Sequence, residues 1–214
     1  MAVCCARCSR EYDVTLFEFG RTIWCTCGNR VGIEPRVRHV TDSTERRFAA
    51  DAMLGRLARW LRLAGFDCAY DSEITDEGIV RLAVSERRTI LTRDRSLPEE
   101  WWIADIYVVR EEELGKQLAE VIQRFGLASS VRVLTRCNEC NRPLNRVTRA
   151  QVWGRVPART LELHDVFSEC PACGRVYWEG SHAARIRRLV EGLVSAASTD
   201  RGSAAPGPGE SVDG

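Results

Sequence analysis

The stretch from Phe48 to Leu97 decides the fold: FAADAMLGRLARWLRLAG over 48–65, FDCAYDSEITDEGIVRLAVSER over 66–87 and RTILTRDRSL over 88–97. Arg47 to Ala50 reads as a short strand lead-in ending at Asp51. Leu54, Leu57, Ala58 and Leu61 recur at helical spacing, and Gly65 suits the C-cap. Phe66, Cys68 and Tyr70 alternate as a half-buried strand does. Thr75 can cap a second helix whose apolar face is Ile79, Val80 and Ala83. Thr89 to Thr92 is a third strand running into Arg93 and Asp94, Ile106 to Val109 a fourth, and Glu111 to Phe125 a further periodic segment. Strands alternating with helices predict an α/β unit, a mainly parallel sheet flanked by helices.

This arrangement places Asp51, Asp76 and Asp94 at strand-to-helix junctions. Loops leaving the carboxyl ends of parallel strands converge, and open α/β sheets put their sites there. Converging carboxylates repel one another unless a hard divalent cation sits among them. Mg²⁺ or Mn²⁺ held this way can activate water and clamp the oxygens of a phosphodiester. The expectation is a metal-dependent nuclease with Asp51, Asp76 and Asp94 as catalytic acids. Asp76 also has a plainer reading, since an acid opening a helix is favoured by the helix dipole. Glu77 is an alternative metal neighbour, while Asp71 and Glu73 fit a solvated loop. Asp105, the nearest fourth acid, precedes its strand and is left out of the set. The histidines are only His39, His164 and His182, and no Ser or Cys nucleophile with a histidine base is apparent.

Arg56, Arg59 and Arg62 follow Asp51 at spacings of three, near one face of their helix. Such a face could track an RNA backbone, or could simply be solvated. Arg93, adjacent to Asp94, could contact a phosphate or balance local charge. Arg56, Arg59 and Arg93 are the candidate RNA contacts.

Ten cysteines in a chain with no export signal point to metal sites rather than disulfides. Cys137–Cys140 and Cys170–Cys173 are two C-x-x-C pairs that together can close a tetrahedral zinc shell with no open position, a structural site. Between them, VWGRVP and TLELHDVF read as strand-like pieces. Tyr177, Trp178 and His182 follow, to stack on bases or to pack under the module. Near the N-terminus the expected ligands are Cys5, Cys8, Cys25 and Cys27, with Cys4 spare; Cys25-Thr-Cys27 is one residue tighter than the usual spacing. Tyr12 to Phe19 is expected as a hairpin arm of this second ribbon. Cys68 reads as a buried small apolar residue.

The pieces ADAMLGRLARWLR, DEGIVRLA, ILTRD, RCNEC, Val156-Pro157 and CPACGRVYWEGSH occur in an order that resembles the Mut-seven C-terminal RNase family, over roughly Phe48 to Leu189. That resemblance implies a PIN-like fold with a zinc ribbon near its C-terminus, and single-strand-directed RNA cleavage. The N-terminal ribbon lies outside it; contact with RNA, protein or the ribosome is expected of that module. The alternative expectation is a non-catalytic zinc-ribbon RNA- or ribosome-binding protein with a degenerate PIN-like core.

The expected organisation is a zinc-ribbon-like module over 1–40, a linker over 41–47, the PIN-like domain over 48–135, a zinc ribbon over 136–182, a helix over 183–197 and a disordered Gly/Ser/Pro-rich tail over 198–214. A 44% hydrophobic and 29% charged composition is that of a soluble globular protein. No apolar run reaches membrane-span length, no signal peptide is recognisable, and the cytoplasm is the expected compartment. A net charge of +1 gives no global field for nucleic acid, although Lys116 is the only lysine among the 31 basic residues.

Overall fold

The computed structural model describes residues 2–33, 46–103 and 105–201, and opens with two antiparallel hairpins. One pairs β1 (Ala2–Cys4) with β2 (Glu11–Asp13), the other β3 (Thr22–Trp24) with β4 (Arg30–Gly32). The expected hairpin arm from Tyr12 to Phe19 is instead a short strand followed by 3-10 turns over Val14–Gly20 that are broken by a kink at Phe17, Glu18 and Phe19. The Asp13 side chain accepts from both the backbone N–H and the hydroxyl of Thr15, which turns the chain out of the strand. Phe17 thereby enters the module and packs with Cys5, Cys25 and Val31 as a small core.

The central unit runs β5 (Phe48–Ala50), α1 (Gly55–Leu63), β6 (Cys68–Tyr70), α2 (Asp76–Glu86), β7 (Thr89–Thr92), α3 (Leu97–Glu100), β8 (Ile106–Val108) and α4 (Leu114–Arg124). Its four strands are all parallel, in the order β6-β5-β7-β8. Both faces are covered, so the strands read as nearly continuous apolar runs. Phe48, Ala50 and Leu91 meet Leu57, Leu61, Leu118 and Ile122 of α1 and α4 on one face. Ala49 and Ile90 meet Ile79, Val80, Ala83 and Leu97 of α2 and α3 on the other. The chain leaves β5 toward β6 and returns on the far side as β7, so the topological switch point lies between β5 and β7.

Two glycines hold this unit in shape. Gly65 ends α1 at φ +101°, and a Cβ there would sit 2.4 Å from the Arg132 carbonyl oxygen. Gly55 opens α1 against the ring of Tyr70, where a Cβ would sit 2.5 Å from the hydroxyl. That hydroxyl donates to the Ala52 carbonyl at 3.2 Å and pins the 3-10 turn that follows Asp51.

The C-terminal ribbon is a three-stranded antiparallel sheet in the order β11-β10-β9, formed by β9 (Asn145–Val147), β10 (Phe167–Glu169) and β11 (Val176–Trp178). VWGRVP and TLELHDVF do not form strands here. They lie mainly in α5 (Arg149–Val152), a turn, and α6 (Ala158–Leu163); only Phe167 begins a strand. Thr148 and Gln151 close a capping box around α5. Pro157 precedes α6 with φ −57°, the value its ring allows. Val152, Leu161 and Phe167 bury their side chains together beneath these turns. The last element, α7, spans Ser181–Arg201 and so extends past the expected 183–197. Of the expected linker, 41–45 lie outside the described residues, as do 202–214 of the expected tail and His39. Among the described residues, no helix is long and apolar enough to cross a membrane.

Candidate active site and metal centres

Asp51 and Asp94 leave the carboxyl ends of β5 and β7, the two strands that flank the switch point. Thr92, the last residue of β7 and fully buried, joins them. Its hydroxyl donates to Asp51 Oδ2 at 2.7 Å and accepts from the Asp94 backbone N–H at 2.9 Å. Asp94 Oδ1 in turn accepts from the backbone N–H of Ser96 at 2.7 Å and from its hydroxyl at 2.8 Å. Asp76 is the first residue of α2, and the N-cap hydroxyl of Thr75 accepts from the Gly78 N–H at 3.1 Å. Partial burial raises the Asp76 carboxyl above its usual range, and the charges of Asp94 and then Asp51 raise it further. The three carboxylates therefore share one electrostatic neighbourhood. They are looser than the cysteine clusters, because among the described residues only the two cysteine quartets gather their ligand atoms within 4.8 Å.

The remaining acids separate cleanly. Asp105 leads into β8 at the opposite end of the sheet, with Arg46 at 3.9 Å. Glu77 pairs with Arg81 one turn along α2 at 2.9 Å. Asp71 accepts from the Glu73 N–H at 3.0 Å, in an exposed turn. Arg93 lies 3.4 Å from Glu112, which follows β8.

Arg56 and Arg59 are exposed on α1, with Arg59 3.4 Å from Glu139. Arg62 does not join them. It is buried, and its guanidinium donates to the carbonyls of Cys68 at 2.8 Å, Asn138 at 2.9 Å and Glu139 at 2.7 Å. Each helical residue advances about 100°, so two steps of three carry Arg62 about 120° away from Arg56. Thr92, Ser96 and Tyr70 position the acidic loops, and no sequence motif marks them for that role. Thr92 lies inside ILTRD, but a threonine closing a strand has no distinctive signal of its own.

Both cysteine quartets form as expected. Cys5, Cys8, Cys25 and Cys27 make one, and Cys137, Cys140, Cys170 and Cys173 the other. Sulfur separations of 3.6 Å for Cys5–Cys27, 3.4 Å for Cys8–Cys25 and 3.8 Å for Cys137–Cys173 lie near the ~3.8 Å edge of a tetrahedron built on ~2.3 Å Zn–S bonds. They are far from the ~2.05 Å of a disulfide. Cys4 lies in β1, exposed and outside the quartet, and Cys68 is buried.

All four knuckles share one backbone device. The N–H of the first cysteine bonds the carbonyl of the residue five on in Cys5–Arg10, Cys137–Arg142 and Cys170–Arg175, and its carbonyl accepts from Ser9, Asn141 and Gly174 respectively. In the tighter pair, Cys25 bonds Asn29 and Gly28, each one residue closer. Cys25-Thr-Cys27 is thus the same knuckle shortened by one residue. Each ends in left-handed backbone, at Ser9, Gly28, Asn141 or Gly174.

The thiol electrostatics match a cation site. In the N-terminal quartet the Cys27 N–H and the Tyr12 hydroxyl bring Cys25 down to about 6. Cys27, despite the favourable Asn29 N–H, is pushed up to about 12 by burial and the neighbouring sulfurs. Burial opposes ionisation of Cys137, yet the Tyr177 hydroxyl and the Cys140 N–H bring it down to about 7. Cys140 is pushed up to about 12, chiefly by Cys173. Four thiolates this close need a cation among them, and an all-sulfur tetrahedron suits Zn²⁺.

The two ribbons are attached at different places. On the N-terminal one, the Thr22 hydroxyl lies 3.1 and 2.9 Å from the carbonyl oxygens of Glu99 and Glu100, Arg30 donates to the Pro98 carbonyl at 2.9 Å, and the Trp102 N–H donates to Gly20 at 2.7 Å. The Pro98, Glu99 and Glu100 carbonyls belong to α3, which begins three residues beyond Asp94. On the C-terminal one, Asn141 accepts from the Cys68 N–H at 3.1 Å and donates to Asp67 at 2.8 Å. Arg88 donates to the same Asp67 oxygen at 2.6 Å.

The fold and sites define an α/β protein of PIN-like architecture that carries two four-cysteine metal-binding modules. The model of the Mut7-C RNAse domain family matches residues 46–190, well over half of the 214 residues, and the chain belongs to that family. The N-terminal ribbon precedes the matched region. No curated protein and no solved structure matches the chain.

Proposed function

We propose that this protein is a metal-dependent endoribonuclease that hydrolyses phosphodiester bonds of single-stranded RNA, with Asp51, Asp76 and Asp94 as its metal-holding acids. The observation that carries the reading is the Thr92 bridge, which fixes Asp51 and the Asp94 backbone together at the switch point while Asp76 feels both charges. Mg²⁺ or Mn²⁺ among these carboxylates would supply the charge that activates water and stabilises the phosphate oxygens. The chain's own residues do the orienting. Thr92 holds Asp51, Ser96 holds Asp94, and Thr75 anchors the turn that presents Asp76. Arg93 lies next to Asp94 and is positioned to take a phosphate, exchanging its ion pair with exposed Glu112. Arg56 and Arg59 extend positive charge from the acidic crevice along α1. The cysteine quartets hold Zn²⁺ in structural roles, and the protein works in the cytoplasm.

The test is incubation of zinc-loaded protein with labelled single-stranded RNA in Mn²⁺, Mg²⁺ or EDTA, beside Asp94→Asn. Cleavage that needs the divalent ion and falls at least 100-fold in the variant is expected. Cleavage persisting in both EDTA and the variant would overturn the reading. The looser spacing of the carboxylates favours one second reading, a zinc-ribbon protein that binds RNA or the ribosome without cutting. That reading predicts RNA binding and no turnover under any of these conditions.

A further inference from the structure

A groove of about 510 Å³ runs beside α1, lined by Arg56, Arg59, Trp60, Asn138, His182 and Arg185. Glu112 and Glu113 also line it, Glu112 at 3.4 Å from Arg93 and Glu113 at 3.5 Å from Lys116. The groove continues into a second cavity of about 380 Å³, with Leu63, Asn138 and His182 common to both. That cavity is apolar and aromatic, walled by Leu134, Val176, Tyr177, Trp178 and Ala183 between the C-terminal ribbon and the start of α7.

We infer that this double cavity is a nucleotide-binding channel for single-stranded RNA, in which phosphates lie over Arg56, Arg59 and Arg185 and one unstacked base enters the aromatic pocket. The proposal rests on the nuclease reading for its substrate and extends it with a base-accepting site. Three observations converge. Arg185 already stacks on Trp60, its guanidinium carbon 5.4 Å from the ring centre, so cation and aromatic face form one preset platform. The Tyr177 hydroxyl lies 2.7 Å from Asn138 Oδ1 and 3.0 Å from Cys137 Sγ, which ties the pocket wall to the zinc knuckle. The Asn138 amide is fixed by that contact and keeps its NH₂ group for a base edge. Finally, α1 begins four residues after Asp51 and runs about 14 Å with Arg56, Arg59, Trp60 and Leu63 along the groove, which gives a strand leaving the acidic crevice a basic path into the channel.

Single strands suit such a site because every base offers a face for stacking, whereas a duplex keeps its bases enclosed. An acidic peptide could also use the arginines, and it is the competing occupant that the test separates from RNA. A volume near 380 Å³ falls at the low end of ordinary small-ligand pockets.

The experiment measures binding apart from cleavage. Full-length, zinc-loaded protein carrying Asp94→Asn is titrated into a fluorescein-labelled ten-nucleotide single-stranded RNA, and anisotropy is read at several salt concentrations. Arg185→Glu and Arg56→Glu are each added on this background. Both side chains are exposed, and the circular dichroism and zinc content of each variant check that the fold is kept. Arg188→Glu, on the same helix but outside the channel, is the charge control. Affinity is expected to fall about tenfold for each channel variant, with a shallower salt dependence, and to change little for the control. Single abasic positions scanned along the RNA should reveal one position whose missing base costs about tenfold. Equal loss in the Arg188 control, no loss at Arg185 or Arg56, a flat abasic scan, or preference for an equal-length duplex or an acidic peptide would each overturn the channel. Failure of wild-type protein to cleave RNA in Mn²⁺, with channel-dependent binding intact, would instead count against the nuclease reading alone.

Discussion

The two ribbons use the same knuckle and are joined to the protein in opposite ways. The N-terminal one lies on α3 through carbonyl bonds from Thr22 and Arg30, and through Arg30 set 5.2 Å from the centre of the Trp102 ring. The C-terminal one is gripped by a buried guanidinium of the central unit, Arg62 on α1, and by a charged network around Asp67. The difference separates metal chemistry from mechanical role. A knuckle sets local geometry, while its attachment decides whether the rest of the fold depends on it.

Arg62 is where this comparison is most exposed to failure. Arg62→Met removes a buried cation and leaves the carbonyls of Cys68, Asn138 and Glu139 without their donor. A loss of about 3 kcal/mol in urea unfolding is expected. Arg30→Ala, the corresponding change on the N-terminal side, should cost about 1 kcal/mol. Equal losses would erase the distinction.

Acid sharpens it further. Burial alone would raise the Asp67 carboxyl, but the bonds from Arg88 and Asn141 and the charges of Arg88 and Arg136 outweigh it and hold it below the usual range. A depressed carboxylate contributes stability that is full above its unfolded value, about 3.9, and is lost as pH falls through its folded value. Urea midpoints should therefore drop as pH is lowered below about 4 in the wild type. Asp67→Asn should be less stable at neutral pH and show a flatter acid limb.

The smallest effect concerns the acidic crevice. Asp76 is raised, so its ionised form opposes the metal-free fold, and that cost is present above its folded pKa and disappears as pH falls below its unfolded value. Asp76→Asn should raise the melting temperature of the zinc-loaded protein without Mg²⁺ or Mn²⁺ by about 1–2 °C at neutral pH. A lowered melting temperature would mean that Asp76 serves as a helix-opening acid and little else.

The sequence makes the sheet legible because its strands are buried on both faces and interrupted by helices with clear apolar stripes. The cysteine quartets are legible because thiolate spacing is a short-range constraint, even where Cys25-Thr-Cys27 tightens it. Arg62 is not, since identity at spacings of three suggests a shared face and only the accumulated rotation takes it into the core. Neither are α5 and α6, whose apolar residues are too few for helical and strand periods to differ. The signal for α3, Pro98 followed by two glutamates, is present but too short to distinguish from a turn. Asp51, Asp76 and Asp94 can be read as junction residues, whereas Thr92 and Tyr70 act through contacts that only the folded chain creates.

The contacts of Cys68 have a consequence for the molecule in solution. β6 is the outermost strand of the parallel sheet, and an outermost strand normally presents open N–H and C=O groups to any other chain. Here the Cys68 N–H is taken by Asn141 and the Cys68 carbonyl by Arg62, the same residue that grips the knuckle. The zinc ribbon is thus a guard on an exposed edge as well as a module. Removing zinc from the Cys137 quartet is expected to loosen Asn141 and open the Cys68 N–H while Arg62 keeps the carbonyl, and size-exclusion chromatography of the metal-stripped protein checks whether the half-opened edge recruits a second copy.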